Sequence, residues 1–441
     1  MGGLWAPAAL LPTGWSENVL LEWDERGLLT NVKSDVDPRG LLRAPGPVVC
    51  GMPNLHSHAF QRALVGLVQH PDPGADFWSW RQAMYRLVSR LTPDLLQAVS
   101  AWVFAEMVAS GYTSVLEFHY LHRPAGADPL SSASAMYRAA GDAGIHMTLA
   151  PVLYRWSDAG GVAPHSEQQP FVLSREEFSS LMTGLRQEGR GLAVAPHSLR
   201  ATTPDDIAFL LELADDDCPV HIHVSEQPAE VRRCLEVYGN TPIACLESRF
   251  GLSGRWGLVH ATHATPEELE LLDDGRGTLI LCPTTEHDLG DGRFPLELVP
   301  EATAGIGSDS HVSVNPCDEL RLVLAGMRAS AGRRAVLEPS SLTDGTALWD
   351  RACRGARAVA GAPVGRLAAG FQANLLVLDA AAPAFSGLSP DQSVSAWVLS
   401  GDRTQLAEVW VRGRVQARRG SHVREADLAA AFREAALLLR A

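Results

Sequence analysis

From residue 48 to residue 309 the chain alternates short apolar runs with amphipathic helical stretches. The runs are too short for helices, and most of them end in polar or titratable side chains. Such alternation predicts a parallel sheet with helices outside it, and eight repeats close the sheet into a (β/α)8 TIM barrel, an α/β fold. The predicted strands cover residues 48–58, 113–120, 146–154, 192–198, 220–226, 257–262, 278–284 and 304–309. The predicted helices include 95–110, 175–188, 205–214, 231–250 and 425–439.

Strand patterns also occur at both ends of the chain, outside the barrel. Near the start, two apolar segments flank the turn-forming sequence 24–27, and two more follow turn signals late in the chain. We expect the two ends to join into a small β-sandwich domain beside the barrel. The expected parts are the start of the β domain at residues 1–48, the barrel at 49–362, and the rest of the β domain with a terminal helix at 363–441.

Composition excludes several classes of function. The net charge is −14 and the basic residues form no stripe, which disfavours nucleic acid as a partner. No apolar run reaches the ~18 residues of a membrane-spanning helix, and the first residues lack the cationic start of a secretory signal. The seven cysteines are scattered without a Cys-x-x-Cys pair, so we expect no disulfide framework and a reducing, cytoplasmic setting.

The end of the first predicted strand carries a His-x-His pair, His56 and His58. Alternate residues of an extended chain point the same way, so both imidazoles project together. His223 ends the fifth strand and Asp309 the eighth, and the strand ends of a barrel meet at one rim. A lone histidine is more often a packed core residue, but three imidazoles and one carboxylate suit a single borderline metal ion. We expect one Zn²⁺ per subunit, and iron or manganese also fits this donor set.

Three residues at the same rim are candidates for proton transfer. Asp309 can accept a proton from a water held at the metal, besides binding the metal itself. Glu226, three residues after His223, can carry a proton to the leaving group, the alternative being an exposed loop carboxylate. His260, at the end of the sixth strand, can polarise the substrate or orient the attacking water, the alternative being a packed core histidine. Three further histidines have no assigned role: His119, His221 and His263.

The combination His56-Ser57-His58, His223-x-x-Glu226, His260 and Ser308-Asp309-Ser310 resembles the amidohydrolase superfamily, in its aminohydrolase branch with one zinc ion. The resemblance covers nearly the whole chain, and it implies a barrel enzyme that forms a homodimer. Members with two metal ions usually bridge them with a carboxylated lysine on the fourth strand. Lys33 is the only lysine of this chain, so the resemblance points away from the dihydroorotase and hydantoinase types.

Within that branch, five local sequences are similar to the iminohydrolases that act on N-formimidoyl-L-glutamate in histidine degradation. Such an enzyme releases ammonia from the formimidoyl group and leaves N-formyl-L-glutamate. The implied mechanism is attack by a water activated at the metal, with Asp309 accepting its proton, Glu226 protonating the nitrogen and His260 supporting the tetrahedral intermediate. The similar segments are 54–62, 76–81, 117–120, 195–200 and 221–227.

The implied substrate carries two carboxylates and a cationic amidine-like head, so an acidic protein needs local cations to bind it. Arg81, His197 and Arg200 offer cations near the rim, and arginine binds carboxylates through two parallel hydrogen bonds. Gln61 and Tyr120 can add neutral donors. The alternative for the two arginines is ion pairing at the surface.

Two other functions stay open. Another deaminase of the branch, acting on guanine, a thio-adenosine or a triazine, would share the metal ligands and differ in the pocket. For a purine, stacking on the base would replace the arginines. A metal-binding barrel without catalysis is the second. Glu226 and Asp309 argue against it, because a silent metal site needs no proton shuttle. The expected partner is a small dicarboxylate, with neither nucleic acid nor membrane.

Overall fold

Sixteen strands and thirteen α-helices are present in the computed structural model, which describes residues 2–69, 77–189 and 191–440. Asp76, in one of the segments that carry the resemblance, lies outside these residues. The strands are β1 Gly2–Leu11, β2 Gly14–Trp23, β3 Leu29–Lys33, β4 Val48–Cys50, β5 Met52–Ser57, β6 Tyr112–His119, β7 His146–Leu153, β8 Ala195–Pro196, β9 Val220–Val224, β10 Trp256–His260, β11 Thr278–Leu281, β12 Ala304–Ile306, β13 Leu375–Leu378, β14 Leu406–Val411, β15 Arg414–Arg418 and β16 Ser421–His422. The helices are α1 Phe77–Val88, α2 Pro93–Ser110, α3 Pro129–Ala143, α4 Arg175–Gln187, α5 Pro204–Leu213, α6 Pro228–Tyr238, α7 Pro242–Phe250, α8 Pro266–Asp273, α9 Pro283–Asp288, α10 Pro316–Ala331, α11 Asp344–Gly355, α12 Pro390–Ser400 and α13 Glu425–Arg440.

Eight parallel strands, β5 to β12, form the barrel that the sequence predicts. The strands β5 to β8 pair in order as one run, and β9 to β12 pair in order as another. Isolated bridges join the two runs, from Ser57 to Asp309 on one side, and from Val194 to Val220 and Ser198 to His223 on the other. The strand order therefore closes on itself, and the carboxyl ends of all eight strands meet at one rim.

An apolar plug fills part of the barrel interior. Leu55, Val259 and Ile280 belong to one buried cluster with Val359, from the segment that follows α11. The imidazole of His221 hydrogen-bonds the carbonyl oxygen of Val359 through Nε2 at 2.7 Å. His221 thus has a structural role, holding the plug to β9.

The two chain ends build one separate sheet of eight strands. Its order is β16-β15-β14-β13-β4-β1-β2-β3, so β4 joins the first three strands to the last four. The sheet folds back on itself, since Trp23 of β2 packs edge-on against Trp410 of β14 with 5.7 Å between ring centroids. The faces of the predicted sandwich therefore belong to a single continuous sheet. The domain boundaries expected at residues 48 and 362 stay predictions.

The first predicted strand, 48–58, is two strands in different sheets. The chain leaves the terminal sheet after β4 and enters the barrel as β5. Gly51 separates them, and a side chain at this position would lie 2.2 Å from Thr113 of the neighbouring barrel strand. The apolar run is continuous in sequence because both strands are buried.

Two other predictions differ from the structure because of single residues. The seventh strand stops at Leu281 rather than 284, because Pro283 begins the short helix α9. The helix predicted at 231–250 is two helices, α6 and α7, because Gly239 ends α6 in the left-handed conformation with φ +77°.

Local signals set the limits of the helices. Thr203 and Thr265 accept hydrogen bonds from backbone N–H groups at the starts of α5 and α8, and proline follows each of these caps. Gly111 and Gly144 end α2 and α3 in the left-handed conformation. Within the described ranges, none of the helices is both long and apolar enough to cross a membrane.

Candidate metal centre and catalytic cavity

A cavity of about 840 Å³ lies at the rim where the barrel strands end. Its size is typical of a site for a small molecule. His56 and His260 are buried beside the residues that line it. The predicted site residues in the lining are His58, Gln61, Arg81, Tyr120, His197, Arg200, His223, Glu226 and Asp309.

Three imidazoles and one carboxylate converge at this rim. Nε2 of His56 lies 3.2 Å from Nε2 of His58 and 3.0 Å from Nε2 of His223. Oδ1 of Asp309 lies 3.5 Å from the His56 Nε2 and 3.3 Å from the His58 Nε2. The structure thus brings together the four residues that the sequence predicts as ligands, which come from β5, from the residue directly after it, from β9 and from the loop after β12.

In His58 and His223, the hydrogen bond made by Nδ1, the nitrogen that faces away from the other imidazoles, fixes the orientation of the ring. His58 donates from Nδ1 to the carbonyl oxygen of Phe118 at 2.9 Å, and His223 donates from Nδ1 to the carbonyl oxygen of His197 at 3.0 Å. With its proton on Nδ1, each ring presents the lone pair of Nε2 to the centre. A cation satisfies lone pairs that face one another, so this donor set fits a divalent metal ion.

The charges of the donors also suit a metal. Burial lowers the pKa of all three histidines, that of His56 to about 3, so the rings are neutral, the form that binds metal. Burial alone would raise the pKa of Asp309, but a hydrogen bond with His56 and the electrostatic effect of the surrounding imidazoles bring it below its usual range. The donor set therefore holds one buried negative charge.

The backbone at the rim is strained where the functional side chains start. Asp309, His260 and Ser225 have φ values of +45°, +71° and +50°, a region that residues other than glycine rarely adopt. Gly307 allows the close approach of β12 to β5, because a Cβ atom there would lie 2.6 Å from that of His56. The barrel holds this strain in place, and the Asp309 and His260 side chains face each other with 3.8 Å between Oδ2 and Nε2.

Glu286, which the sequence analysis did not identify, orients His260. Its Oε1 lies 3.2 Å from the His260 Nδ1, and the opposite Nε2 lies 3.8 Å from Asp309 Oδ2 and 3.9 Å from Glu226 Oε1. Burial alone would lower the pKa of His260, but the Glu286 hydrogen bond and the charges of Glu226 and Asp309 raise it to about 10. The imidazole is therefore a cationic donor. The sequence signal for Glu286 was Pro283, which starts a helix directly after the seventh strand.

Glu226 is held on two sides. Its Oε2 accepts a hydrogen bond from Arg200 Nη2 at 2.7 Å, and its backbone N–H donates to Glu230 Oε2 at 3.0 Å. Arg200, predicted as a ligand for a substrate carboxylate, thus also contacts the predicted proton shuttle. Glu230, a second residue that the sequence analysis did not identify, is buried, and this burial raises its pKa.

Arg81, on α1, lines the same cavity as part of a different set of contacts. Its Nη2 donates to the Tyr154 hydroxyl at 2.9 Å, and that hydroxyl also accepts from Gln168 Nε2 at 2.6 Å. The guanidinium carbon lies 5.5 Å from the ring centroid of Tyr85. Tyr154, which ends the third predicted strand, and Gln168 line the cavity and were not predicted as site residues.

The predicted cation His197 is neutral in the structure. Burial, followed by the positive charges of Arg200 and Arg81, lowers its pKa well below the usual value. The two predicted neutral donors contact each other, since Gln61 Nε2 donates to the Tyr120 hydroxyl at 2.7 Å. Two arginines therefore supply the positive charge at this part of the cavity.

The two remaining histidines with no predicted role have contacts outside the metal centre. Nε2 of His119 lies 3.2 Å from the Ser132 hydroxyl on α3. His263 hydrogen-bonds the carbonyl oxygen of Asp291 through Nε2 at 2.8 Å. The first contact joins the end of β6 to α3, and the second joins the loop after β10 to the loop after α9.

Known proteins resemble the chain over nearly its full length. The amidohydrolase family profile matches residues 47–415. A formimidoylglutamate deiminase of Pseudomonas aeruginosa is 40% identical over 444 residues, covering 98% of each chain. The crystal structure of an amidohydrolase from Brucella melitensis has a TM-score of 0.93 and 37% identity, covering 100% of both chains. An adenosine deaminase from Xanthomonas campestris, with bound zinc, shares the fold at a TM-score of 0.80 and 21% identity, covering 99% of this chain and 98% of its own.

Proposed function

The chain belongs to the amidohydrolase family, and we propose that it is a zinc-dependent hydrolase of the formimidoyl C–N bond of N-formimidoyl-L-glutamate. The products are N-formyl-L-glutamate and ammonia, as in a step of histidine degradation. The observation that carries the proposal is a single cavity that combines the histidine and aspartate donor set with Arg81 and Arg200. The likeness to the Pseudomonas aeruginosa formimidoylglutamate deiminase supports the same substrate.

The charges of this substrate match those of the cavity. Arg81 and Arg200 suit its two carboxylates, since a guanidinium binds a carboxylate through paired, charge-assisted hydrogen bonds. Glu226 and Asp309 suit its cationic formimidoyl head. A purine carries no carboxylate, so the cavity's arginines would bring it no matching charge. Charge complementarity therefore favours a linear dicarboxylate over a base.

We assign the zinc ion to His56, His58, His223 and Asp309, whose donor atoms face one another. A bound Zn²⁺ lowers the pKa of a water ligand toward about 7 and so supplies a nucleophile at neutral pH. The protein's own contribution is to hold the neutral imidazoles in one tautomer and to move the protons.

Three side chains divide the proton transfers. Asp309 accepts the proton of the attacking water at a carboxylate oxygen. Glu226, aimed by its contact with Arg200, takes up the hydroxyl proton of the tetrahedral carbon at Oε1 and passes it to the formimidoyl nitrogen. His260, held cationic by Glu286, donates from Nε2 to the oxygen of the tetrahedral carbon. Once the nitrogen is fully protonated, the C–N bond breaks and ammonia leaves.

The test is ammonia release from N-formimidoyl-L-glutamate by purified, zinc-loaded protein. Guanine, an adenosine and N-formimidoylglycine are measured beside it, and a chelated sample is the blank. We expect rapid, metal-dependent release from the glutamate compound, with N-formimidoylglycine much slower because it lacks one carboxylate. Turnover of a purine without release from the glutamate compound would contradict the substrate and favour the alternative, a guanine or thio-adenosine type deaminase.

We further infer a cytoplasmic enzyme that works as a homodimer. The cytoplasmic setting is supported by the scattered cysteines of the sequence, and the dimer by the resemblance to the superfamily. Light scattering during size-exclusion chromatography measures the mass directly, and a monomer at working concentration would contradict the dimer.

A further inference from the structure

A second group of donor atoms lies on the other side of Asp309. A ring nitrogen of His260, Sγ of Cys282 and a carboxylate oxygen of Asp309 all lie within 4.8 Å of one another, and all three residues are buried. The Asp309 carboxylate serves both groups, because Oδ1 lies 3.3 Å from the His58 Nε2 while Oδ2 lies 3.8 Å from the His260 Nε2. A carboxylate with one oxygen toward each of two donor groups is the arrangement that can bridge two cations.

The Glu286 carboxylate contacts both His260 and Cys282, the other two residues of this second group. Glu286 accepts from the backbone N–H of Cys282 at 2.8 Å, and the same oxygen lies 3.2 Å from the His260 Nδ1. The His260 ring therefore presents Nε2 to the group, as the outer hydrogen bonds of His58 and His223 do in the first centre. The proposed mechanism uses His260 and Asp309 but leaves the Cys282 thiol without a part.

We propose that His260, Cys282 and Asp309 form a second, weaker metal site that takes a soft divalent cation such as Cd²⁺, or Zn²⁺ in excess, and that its occupation inhibits the enzyme. The inhibition rests on the proposed function, whereas the binding of the ion does not. Thiolate and imidazole donors select soft and borderline ions over Mg²⁺ or Ca²⁺. On binding, the Cys282 thiol and the Nε2 of the His260 imidazolium each release one proton to solvent, and the sulfur and the nitrogen become ligands.

The geometry explains why this site is weaker than the first. Donors on one tetrahedral zinc ion lie roughly 3.3–3.8 Å apart, from bond lengths of about 2.0–2.3 Å. In the first centre, Nε2 of His56 lies 3.2 Å from Nε2 of His58 and 3.0 Å from Nε2 of His223, whereas in the second group Asp309 Oδ2 lies 3.8 Å from Nε2 of His260, at the upper end of that range. The second group also offers three donors instead of four and shares one of them, Asp309, with the first centre.

Occupation of the second site would remove two parts of the proposed mechanism. The ion takes the lone pair of the His260 Nε2, so that nitrogen no longer carries a proton to donate. It also takes an oxygen of Asp309, which then accepts a proton less readily. Glu226, whose Oε1 lies 3.9 Å from the same nitrogen, comes next to an added positive charge.

The experiment titrates Cd²⁺ alone into protein that holds one zinc ion per chain. Zinc and cadmium are counted separately by mass spectrometry after desalting, and the near-ultraviolet charge-transfer band of a cadmium–thiolate bond is followed. We expect one cadmium ion bound beside the retained zinc, a thiolate band, and a loss of turnover of about tenfold or more. A mild chelator should reverse all three without removing the zinc.

Cys282→Ser, with Cys282→Ala as a second variant, decides whether the ion uses this thiol. Both variants should keep the zinc ion and basal turnover but lose the band and the second ion. Cys317→Ser, at another buried thiol, is the matched control and should behave like the unchanged protein. Persistence of the band and of the second ion without the Cys282 thiol would overturn the proposal, as would a count that stays at one metal ion per chain.

The two proposals fail in different ways. Absence of ammonia release, together with a second ion that depends on Cys282, would contradict the proposed function and leave the second site standing. Full turnover of N-formimidoyl-L-glutamate at saturating cadmium would leave the function standing and contradict inhibition through this site.

Discussion

The cavity has two sides that are built in different ways. We call His56, His58, His223 and Asp309 the metal wall, and Arg81, Tyr154, His197 and Arg200 the arginine wall. The metal wall lies on strand ends, and backbone carbonyl groups of the neighbouring strands hold two of its imidazoles, His58 and His223. The arginine wall lies largely on α1 and on rim loops, and side chains such as Gln168 and Glu226 hold it.

This difference separates what the barrel supplies from what this chain adds. Backbone contacts persist through most side-chain changes, so the metal wall can serve many reactions. Side-chain contacts change with single substitutions, so specificity can change at the arginine wall while the metal stays in place. Glu226 connects the arginine wall to His260, the neighbour of Asp309 in the metal wall, because its Oε2 pairs with Arg200 and its Oε1 lies 3.9 Å from the His260 Nε2.

The largest expected effect is at this meeting point. Glu226→Gln keeps the size of the side chain but removes its proton transfer, so we expect kcat to fall about 10³-fold. Zinc content should not change, since Glu226 is not among the proposed ligands. Steady-state kinetics and metal analysis of the same preparation measure both quantities.

Glu167→Gln is the matched control for this change, because Glu167 lines the outer part of the same cavity. It should leave kcat within about twofold. Full activity of the Glu226 variant, with zinc bound, would show that the shuttle lies elsewhere.

The arginine wall should affect binding more than chemistry. Arg81→Gln removes a charged donor to a substrate carboxylate, and we expect KM for N-formimidoyl-L-glutamate to rise about 30-fold with kcat changed little. Arg200→Gln should raise KM similarly and also lower kcat, because Arg200 holds Glu226. Initial rates over a range of substrate concentrations separate the two parameters.

Arg233→Gln is the control here, since Arg233 lines the cavity but pairs with Asp158 and Glu236. Its KM should stay near that of the unchanged enzyme. If Arg81→Gln and Arg233→Gln have equal effects, the cavity attracts the substrate by its general charge, and the distinction between the two walls fails.

The same contrast explains which parts of the site could be predicted from sequence. The metal wall could be, because parallel strands bring their carboxyl ends together whatever the loops do. Glu286 and Glu230 could not, because each reaches its partner through a turn of helix that follows a strand end. The predicted positive charge of His197 was wrong, because burial and the charges of Arg200 and Arg81 lower its pKa only once the chain is folded.

The fold shows a similar limit. Eight strands and their order follow from periodicity, and this prediction is confirmed. The chain passes from the terminal sheet into the barrel at Gly51. The hydrophobicity of the sequence does not change at this point, because β4 and β5 are both buried. The single folded-over sheet depends on long-range contacts such as that between Trp23 and Trp410.

A third prediction concerns the loop that carries Arg200. Asp206 on α5 accepts hydrogen bonds from the side chains of Arg155, Arg175 and Trp156 and from the Thr203 N–H. Burial alone would raise the pKa of Asp206, but these hydrogen bonds lower it from 3.8 to about 2. A lowered folded-state pKa stabilises the fold above pH ~4, and this contribution is lost as pH falls toward ~2. Asp206→Asn should therefore reduce the free energy of unfolding by about 2 kcal/mol at neutral pH.

Urea unfolding at pH 7 and at about pH 3 measures this effect, and the gap between variant and unchanged protein should narrow at the lower pH. Asp205→Asn, at the exposed neighbour on the same helix turn, is the control and should change stability little. A gap that stays constant with pH would mean that packing, rather than charge, accounts for the loss.

The smallest expected effect is beneath the metal wall. The Ser57 hydroxyl, between His56 and His58, donates to Glu117, which also accepts from the Ala59 N–H at 2.9 Å. Ser57→Ala removes one of the contacts that hold β5 to β6. The imidazoles of His58 and His223 keep their hydrogen bonds to backbone carbonyl groups. We expect zinc affinity to fall about tenfold, measured by competition with a fluorescent chelator.

Ser114→Ala on β6 is the matched control, because Ser114 is also buried and its hydroxyl has no hydrogen-bond partner among the residues the structure describes. It should leave zinc affinity unchanged. A loss of affinity for Ser57→Ala as large as that for direct replacement of His58 would mean that side chains, and not backbone carbonyls, hold the metal wall. The two walls would then differ in position only, and the barrel would supply no more to the metal than the loops supply to the substrate.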